Sequence, residues 1–268
     1  MTQSPSTLKA FDLQIALSEL SPDKQAELVI GLFSNWSDLP PKLLVWFAAS
    51  EDSYLRAIAA ATENCPVEVL RDLLHDKVED VRLAALWNPS TPLSAVREQL
   101  KFESDSIRRS FTEVDFVPVQ ILTDLSTDES SWVRCGVAMN EQTPLKVQKR
   151  LAKDEAVGIQ DALAQLPTCS PEVLRILAEA RSSMVRWRVS KHPACPVEVL
   201  VRFARDYDYS IRKSAAEHPS IPSEVLEELA QDSHPKVQAA AHKELRRRKQ
   251  RKSRSRGAKS GTGSAQSS

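Results

Sequence analysis

The segment VRWRVSKHPACPVEVLVRFARD (Val185–Asp206) decides how the rest of the chain is read. It holds an aliphatic residue followed by Arg, a polar turn ending in proline, and a second apolar stretch. The same pattern returns at a fixed distance on either side. Leu55, Val81, Ile107, Val133, Ile159, Val185, Ile211 and Val237 stand 26 residues apart; Arg follows six of the eight, and Gln160 and Gln238 follow the other two. A fixed period of this length marks stacked structural repeats.

Eleven positions after the anchors stand Pro66, Pro92, Pro118, Pro144, Pro196 and Pro222, with Pro171 one place late. Apolar residues then return at Val69, Ala95, Ile121, Val147, Val173, Val199 and Val225. Four positions on lie Leu73, Gln99, Leu125, Leu151, Leu177, Phe203 and Leu229, Gln99 being polar among apolar neighbours. A spacing of four keeps residues on one helix face. Each unit therefore reads as a helix A (Asp80–Trp87 in one copy), a turn, a helix B (Pro92–Leu100) and a second turn. Proline at the first helical position loses no intrahelical bond, and Thr91, Thr143 and Ser170 are expected to cap the amides that follow. One helix pair cannot bury its apolar faces alone. The expected fold is all-α, a right-handed α-solenoid of about eight 26-residue helix pairs.

Val29 and Pro40 fall in the same slots, so the solenoid is expected over residues 29–245. Residues 1–28, with TLKAFDLQIALSEL and the helix start Ser21-Pro22-Asp23, read as an N-terminal helical cap. Residues 246–268 read as a disordered basic tail. The chain has 36 Lys and Arg against 36 Asp and Glu. Ten of the basic residues fall in 243–268 against Glu244 alone, which puts +9 on the tail and leaves −9 on the body. No apolar run reaches the ~18 residues of a membrane span, and the N-terminus lacks a secretory layout, so a cytoplasmic protein without membrane insertion is expected. Cys65, Cys135, Cys169 and Cys195 form no CxxC pair.

Units such as VRLAALWNPSTPLSAVREQL (Val81–Leu100) and IRKSAAEHPSIPSEVLEELAQD (Ile211–Asp232) resemble the leucine-rich repeat variant family, a relative of HEAT-like α-solenoids, across about residues 29–240. The resemblance implies a solenoid whose second helix is α or 3₁₀. The family's namesake carries an iron–sulfur module with clustered cysteines; no cysteine precedes Cys65 here, so no cofactor is expected. HEAT-like repeats also imply an Asp/Arg ladder, and Asp76, Asp128 and Asp206 stand six residues before Arg82, Arg134 and Arg212.

His192-x-x-Cys195 has the look of half a metal site. The same slots elsewhere hold Asn88 with Thr91, Asn140 with Thr143, and His218 with Ile221. A ligand pair would not tolerate that interchange, so a turn role is expected. Arg56, Arg82, Arg108, Arg134, Arg186 and Arg212 have two readings: a structural ladder bracing neighbouring units, or a row of anion contacts along a phosphate backbone. The recurring aspartates favour the first, and Arg109, Arg188 and Lys213 beside it keep the second open.

Leu83, Trp87, Met139 and Trp187, with Cys135, share a face of helix A; they read either as packing between units or as a strip that docks a partner. In the tail, Arg246, Arg247, Arg248, Lys249, Arg251, Lys252, Arg254 and Arg256 read as nucleic-acid contacts, as a solubilising segment, or as a partner for the acidic body. No GxSxG, HExxH, Walker or dinucleotide-binding glycine motif occurs. The expectation is a non-enzymatic scaffold that binds a protein partner, with DNA or RNA contact through the tail. The alternative is a nucleic-acid-binding or DNA-modifying solenoid that uses the Arg-bearing helix face.

Overall fold

The structure, a computed structural model, describes residues 39–114 and 117–260. The expected cap over 1–28 and the slot at Val29 lie outside the described residues. Sixteen helices and no strand occur among the described residues, and the fold is an all-α solenoid. In chain order they are α1 Pro41–Ala48, α2 Ser53–Ala61, α3 Val67–Leu73, α4 Glu79–Trp87, α5 Leu93–Gln99, α6 Asp105–Ser110, α7 Val119–Leu125 and α8 Ser131–Met139. There follow α9 Leu145–Leu151, α10 Val157–Gln165, α11 Pro171–Leu177, α12 Ser183–Lys191, α13 Val197–Phe203, α14 Tyr209–Glu217, α15 Ser223–Leu229 and α16 Pro235–Ser260.

The chain divides between Ile107 and Arg108 into two compact units. In the first, α2 packs on α4, burying Leu55, Ala59 and Ala60 against Val81, Ala85 and Leu86. In the second, α8, α10, α12, α14 and α16 stack in turn through Val133 and Val137, Ile159 and Leu163, Val185 and Val189, Ile211 and Ala215, and Val237 and Ala241. The second helices supply a parallel row, with Leu174 and Leu177, Leu200 and Phe203, and Leu226 and Leu229 buried. Each such side chain contributes roughly 1.5–3 kcal/mol when fully buried. Neighbouring copies bury one another, which is why a single pair would not hold.

The B helices are α rather than 3₁₀. Leu70, Val96 and Leu200 amides donate to the carbonyls of Pro66, Pro92 and Pro196, four residues back. Three-residue bonds are confined to the two ends, as in Ala95 to Pro92 at the start and Asp76 to Leu73 past the end. The slot prolines sit one position earlier than the sequence reading placed them. Pro66, Pro92, Pro118, Pro144, Pro196 and Pro222 are N-cap residues with extended backbones, and the helix opens after them. Among the slot prolines only the displaced Pro171 takes the first helical position, and there Ser170 caps by accepting from the Val173 amide at 3.3 Å.

Thr91 and Thr143 do not cap. Their hydroxyls donate backward to Ala85 and Val137 carbonyls, both at 2.6 Å, closing the end of helix A. No described residue has a positive φ, so these turns need no glycine. That explains how 16 prolines and 6 glycines serve a chain with so many turns.

Candidate functional site

Six arginines stand one position after the buried anchors, so each side chain leaves the core edge toward the turn between units. Arg134 Nε and Nη2 meet the two oxygens of Asp154 at 2.8 and 3.0 Å, while Nη1 donates to the Asp128 carbonyl at 2.7 Å and to Glu129. Arg212 repeats the pattern with Asp232 and the Asp206 carbonyl, and Arg186 with Asp206 and Ala180. Arg56 pairs with Asp76, and Arg108 with Asp128.

The carboxylate thus lies twenty residues after its arginine, in the following turn. The aspartate six residues before contributes only its backbone carbonyl, which corrects the pairing implied by the sequence spacing. One aspartate therefore joins two arginines: its side chain holds the earlier and its carbonyl the later. Its Oδ1 also accepts from the amide two residues on, as at Val78, Ser130, Ala156, Asp208 and His234.

Two rungs depart from this pattern. In the first unit Phe102 occupies the aspartate slot and is exposed, and Glu103, one residue later and one methylene longer, pairs with Arg82 at 2.8 Å. The polar Gln99 serves this shifted carboxylate, donating to Glu103 Oε1 at 2.8 Å. In the second unit Gln160 keeps only the carbonyl bond, to Asp154 at 2.9 Å, and the slot twenty residues on is Ala180. Arginine and carboxylate are both absent from this rung.

The ladder guanidiniums are between 8 and 21% exposed. The bond to Asp76 or Asp232 raises the pKa of Arg56 or Arg212, and the same bond holds each carboxyl below its ordinary range. For Asp154 burial alone would push the other way, and Arg134 with the Ala156 amide overcomes it. The structure places these arginines in a brace, their donors turned toward carboxylates and carbonyls. The neighbouring cations are engaged too: Arg109 pairs with Glu113, Arg188 with Asp161, and Lys213 with Glu217.

His192 is a turn residue. Its Nε2 lies 2.8 Å from the Leu166 carbonyl, and its Nδ1 accepts from the Ala194 amide at 3.1 Å. Asn88 and Asn140 make the same two bonds with amide groups, and His218 makes them to the His192 carbonyl and the Ser220 amide. The neutral imidazole with hydrogen on Nε2 is what this geometry requires. Burial pushes the His218 pKa down. Burial pushes the Cys195 thiol up to about 12, and Cys65 and Cys169 to about 11, so none is poised as a ligand or nucleophile.

The strip on helix A is divided in character. In the first unit Trp87 is 37% exposed and Leu83 half-buried. In the second unit Met139 is 54% exposed, and Cys135 and Trp187 are half-buried. Trp132, one position before its anchor and overlooked in the slot pattern, is 51% exposed beneath the Arg109 guanidinium, which lies 5.7 Å from its ring.

Trp187 leads to a further group that the slot pattern did not single out. Its ring meets Lys191 Nζ at 4.4 Å, and Tyr209 stacks on His234 with ring centroids 3.8 Å apart. Lys236 Nζ lies 5.8 Å from the Tyr209 ring. Trp187, Lys191, Tyr209 and Lys236 line a hollow of about 250 Å³ with Lys213, Ser214 and Glu217. Ser214 is 4% exposed, and its hydroxyl has no hydrogen-bond partner among the described residues. Lysines six positions after Val185, two after Ile211 and one before Val237 were the available signal.

The last helix, α16, continues past Leu245 to Ser260, where a disordered tail was expected to begin. Lys, Arg and Gln are good helix formers and no glycine occurs before Gly257. Of the tail cations, Arg248 is structural: it pairs with Glu244 and donates to the Pro219 carbonyl and Ser223 Oγ. Arg247 pairs with the same Glu244, and Arg246 bonds the His242 carbonyl. Lys249 and Arg251 are exposed. No helix among the described residues is long and apolar enough to cross a membrane.

Comparison with known proteins agrees with this geometry. A family model described as leucine rich repeat variant matches residues 209–234, one full period from α14 through α15. A solved structure described as a leucine-rich repeat variant with a novel repetitive protein structural motif is 27% identical, with a TM-score of 0.54, covering 75% of this chain and 80% of that one. An engineered protein aligns at 18% identity and a TM-score of 0.31 over 88% of this chain and 73% of its own. No curated protein matches the chain significantly. The α14–α15 helix pair thus matches the leucine rich repeat variant model, and the stacked helix pairs are similar to those of a solved leucine-rich repeat variant.

Proposed function

We propose that the protein is a non-enzymatic repeat scaffold that binds a protein partner and takes up single-stranded nucleic acid at the root of its basic last helix. The carrying observation is the hollow between α12, α14 and α16. It combines three lysines, of which Lys213 is paired with Glu217 on the same wall, two aromatic rings and an unpartnered buried hydroxyl, and exposed Lys249 and Arg251 follow on the same helix that bears Lys236. Rings offer a stacking face for a base, and ammonium and hydroxyl groups offer donors to phosphate. Exposed Trp87, Trp132 and Met139 support the protein-partner half of the reading. The displaced carboxylates sit in ion pairs and the raised thiols are buried, which supports a binding role over a catalytic one. A duplex gripped by the ladder arginines finds less support, because their donors are committed within the brace.

The test is fluorescence anisotropy with a labelled single strand of about 20 nucleotides across a salt series. Lys191→Gln/Lys213→Gln/Lys236→Gln should weaken binding and lower the slope of log affinity against log salt by ~2, at ~0.7 for each phosphate no longer neutralised. An unchanged slope in this variant, or no binding by the full chain, would sink the proposal.

A further inference from the structure

The broken rung at Gln160 and Ala180 leaves more than a missing bond. A hollow of about 800 Å³ opens there, lined by Gln160, Ala180 and Ser182, by the cations Lys153 and Arg181, and by Asp154 and Glu155, of which Asp154 is held by Arg134. In five other rungs arginine and aspartate occupy the two slots that Gln160 and Ala180 hold here. Five times over, the amide two residues past the aspartate slot receives a carboxylate oxygen, at 2.8 to 3.0 Å. The Ser182 amide stands in that register with Ala180 two residues before it, so the chain supplies no carboxylate from the slot. Lys153 and Arg181 make no ion pair among the described residues, whereas Arg175 and Glu179 on the wall are held by Glu198 and Arg202.

We infer that this hollow is a binding site for a carboxylate, presented by an aspartate or glutamate side chain of a partner polypeptide, which completes the rung from outside. The intact rungs show the interaction already made in cis: the same amide register, the same turn and a carboxylate of the same class. Arg181 and Lys153 supply the charge that the arginine supplies elsewhere. The inference rests on the scaffold reading only in taking the carboxylate from a partner chain; the pocket is tested separately with a small acid.

The experiment is a titration of the full ¹⁵N-labelled chain with N-acetyl-aspartate N-methylamide and with a short acidic peptide. The Ser182 amide resonance should move saturably with both, with the peptide binding several-fold more tightly. Gln160→Arg/Ala180→Asp, which fills the rung from within, should abolish the response and melt at a higher temperature. Arg181→Gln should weaken binding several-fold in a chain whose rung is still open, which keeps the test decisive if the filled variant folds poorly. A Ser182 resonance that stays fixed, or that moves equally in the filled variant, overturns the site. A response to the small acid without one to the peptide overturns the partner chain as its source and leaves the scaffold's nucleic-acid hollow untouched.

Discussion

The natural break in the ladder predicts what an artificial one should do. Consider the Arg212–Asp232 rung, with contacts of 2.8 and 3.0 Å and side chains 14 and 9% exposed. Asp232→Ala leaves a guanidinium with two carbonyls and no counter-charge. Full burial of such a group would cost about 3–5 kcal/mol, so partial exposure puts it at about 2–3. Arg212→Gln leaves the carboxylate with the His234 amide alone and should cost about 2 kcal/mol. The double variant Arg212→Gln/Asp232→Ala recreates the pairing of Gln160 with Ala180, and its glutamine can keep a bond to the Asp206 carbonyl, as Gln238 does to the Asp232 carbonyl at 2.6 Å. It should therefore lose only about 2 kcal/mol, so the coupling energy is about 2–3 kcal/mol.

Urea unfolding followed by circular dichroism at pH 7 measures all four corners of the cycle. Acid adds an independent check. Asp232 has a pKa below its ordinary 3.8 because Arg212 bonds its charged form, so its contribution is present above pH ~4 and lost as pH falls through the folded value. Wild type should lose more stability than the double variant on going from pH 7 to pH 3. Additive single effects, within about 0.5 kcal/mol, would refute the idea that arginine and aspartate act as a unit.

His218→Asn should leave stability at pH 7.5 within about 1 kcal/mol, since Asn88 and Asn140 make the same bonds, whereas His218→Ala should cost about 1–2 kcal/mol by removing the bond to the buried His192 carbonyl, which then keeps the Cys195 amide alone. Because burial lowers the His218 pKa, its unfolded form takes up a proton first as pH falls below ~6.5; wild type should lose stability there and His218→Asn lose less, as thermal melts at stepped pH would show. Phe203→Ala, at a site 1% exposed, should cost about 3–5 kcal/mol by urea denaturation, and a loss under 1 kcal/mol would mean that α13 is not packed as described. Gly136→Val should destabilise despite valine's better helix propensity, because a Cβ there would meet Thr112 Oγ1 at 2.0 Å and Arg109 Cδ at 2.7 Å; an unchanged melting temperature would contradict that packing.

The period, the helix pairs and the burial of Val133, Val185 and Ile211 were legible because each rests on recurrence, and eight noisy copies average into one clear signal. Ladder partners were legible by type and not by address. Spacing along the chain showed an aspartate six residues before arginine, but the side chain turns the other way, toward the preceding unit. Only the geometry of stacking says which neighbour it meets. Proline's place at the N-cap shifted by one for a related reason: the slot pattern fixes the period and leaves the phase of each helix open. Least legible was the hollow around Trp187, Tyr209 and Ser214, since it draws one or two positions from each of three copies and matches no single slot.

The span of twenty residues between an arginine and its aspartate has a consequence for how such a chain grows. A duplication that copies one helix pair, cut in the turn between units, separates the arginine of its last copy from the carboxylate it needs and gives it the first turn of whatever follows. The unit that can be inherited intact is therefore staggered against the unit seen by eye, running from one arginine across the boundary to the next turn. Gln160 and Ala180 lie on opposite sides of such a boundary yet depart from the pattern together. The joint between neighbours is thus the heritable element, and a recombination experiment that shuffles these repeats should succeed when its junctions fall inside helix A, ahead of the arginine, and fail when they follow the turns.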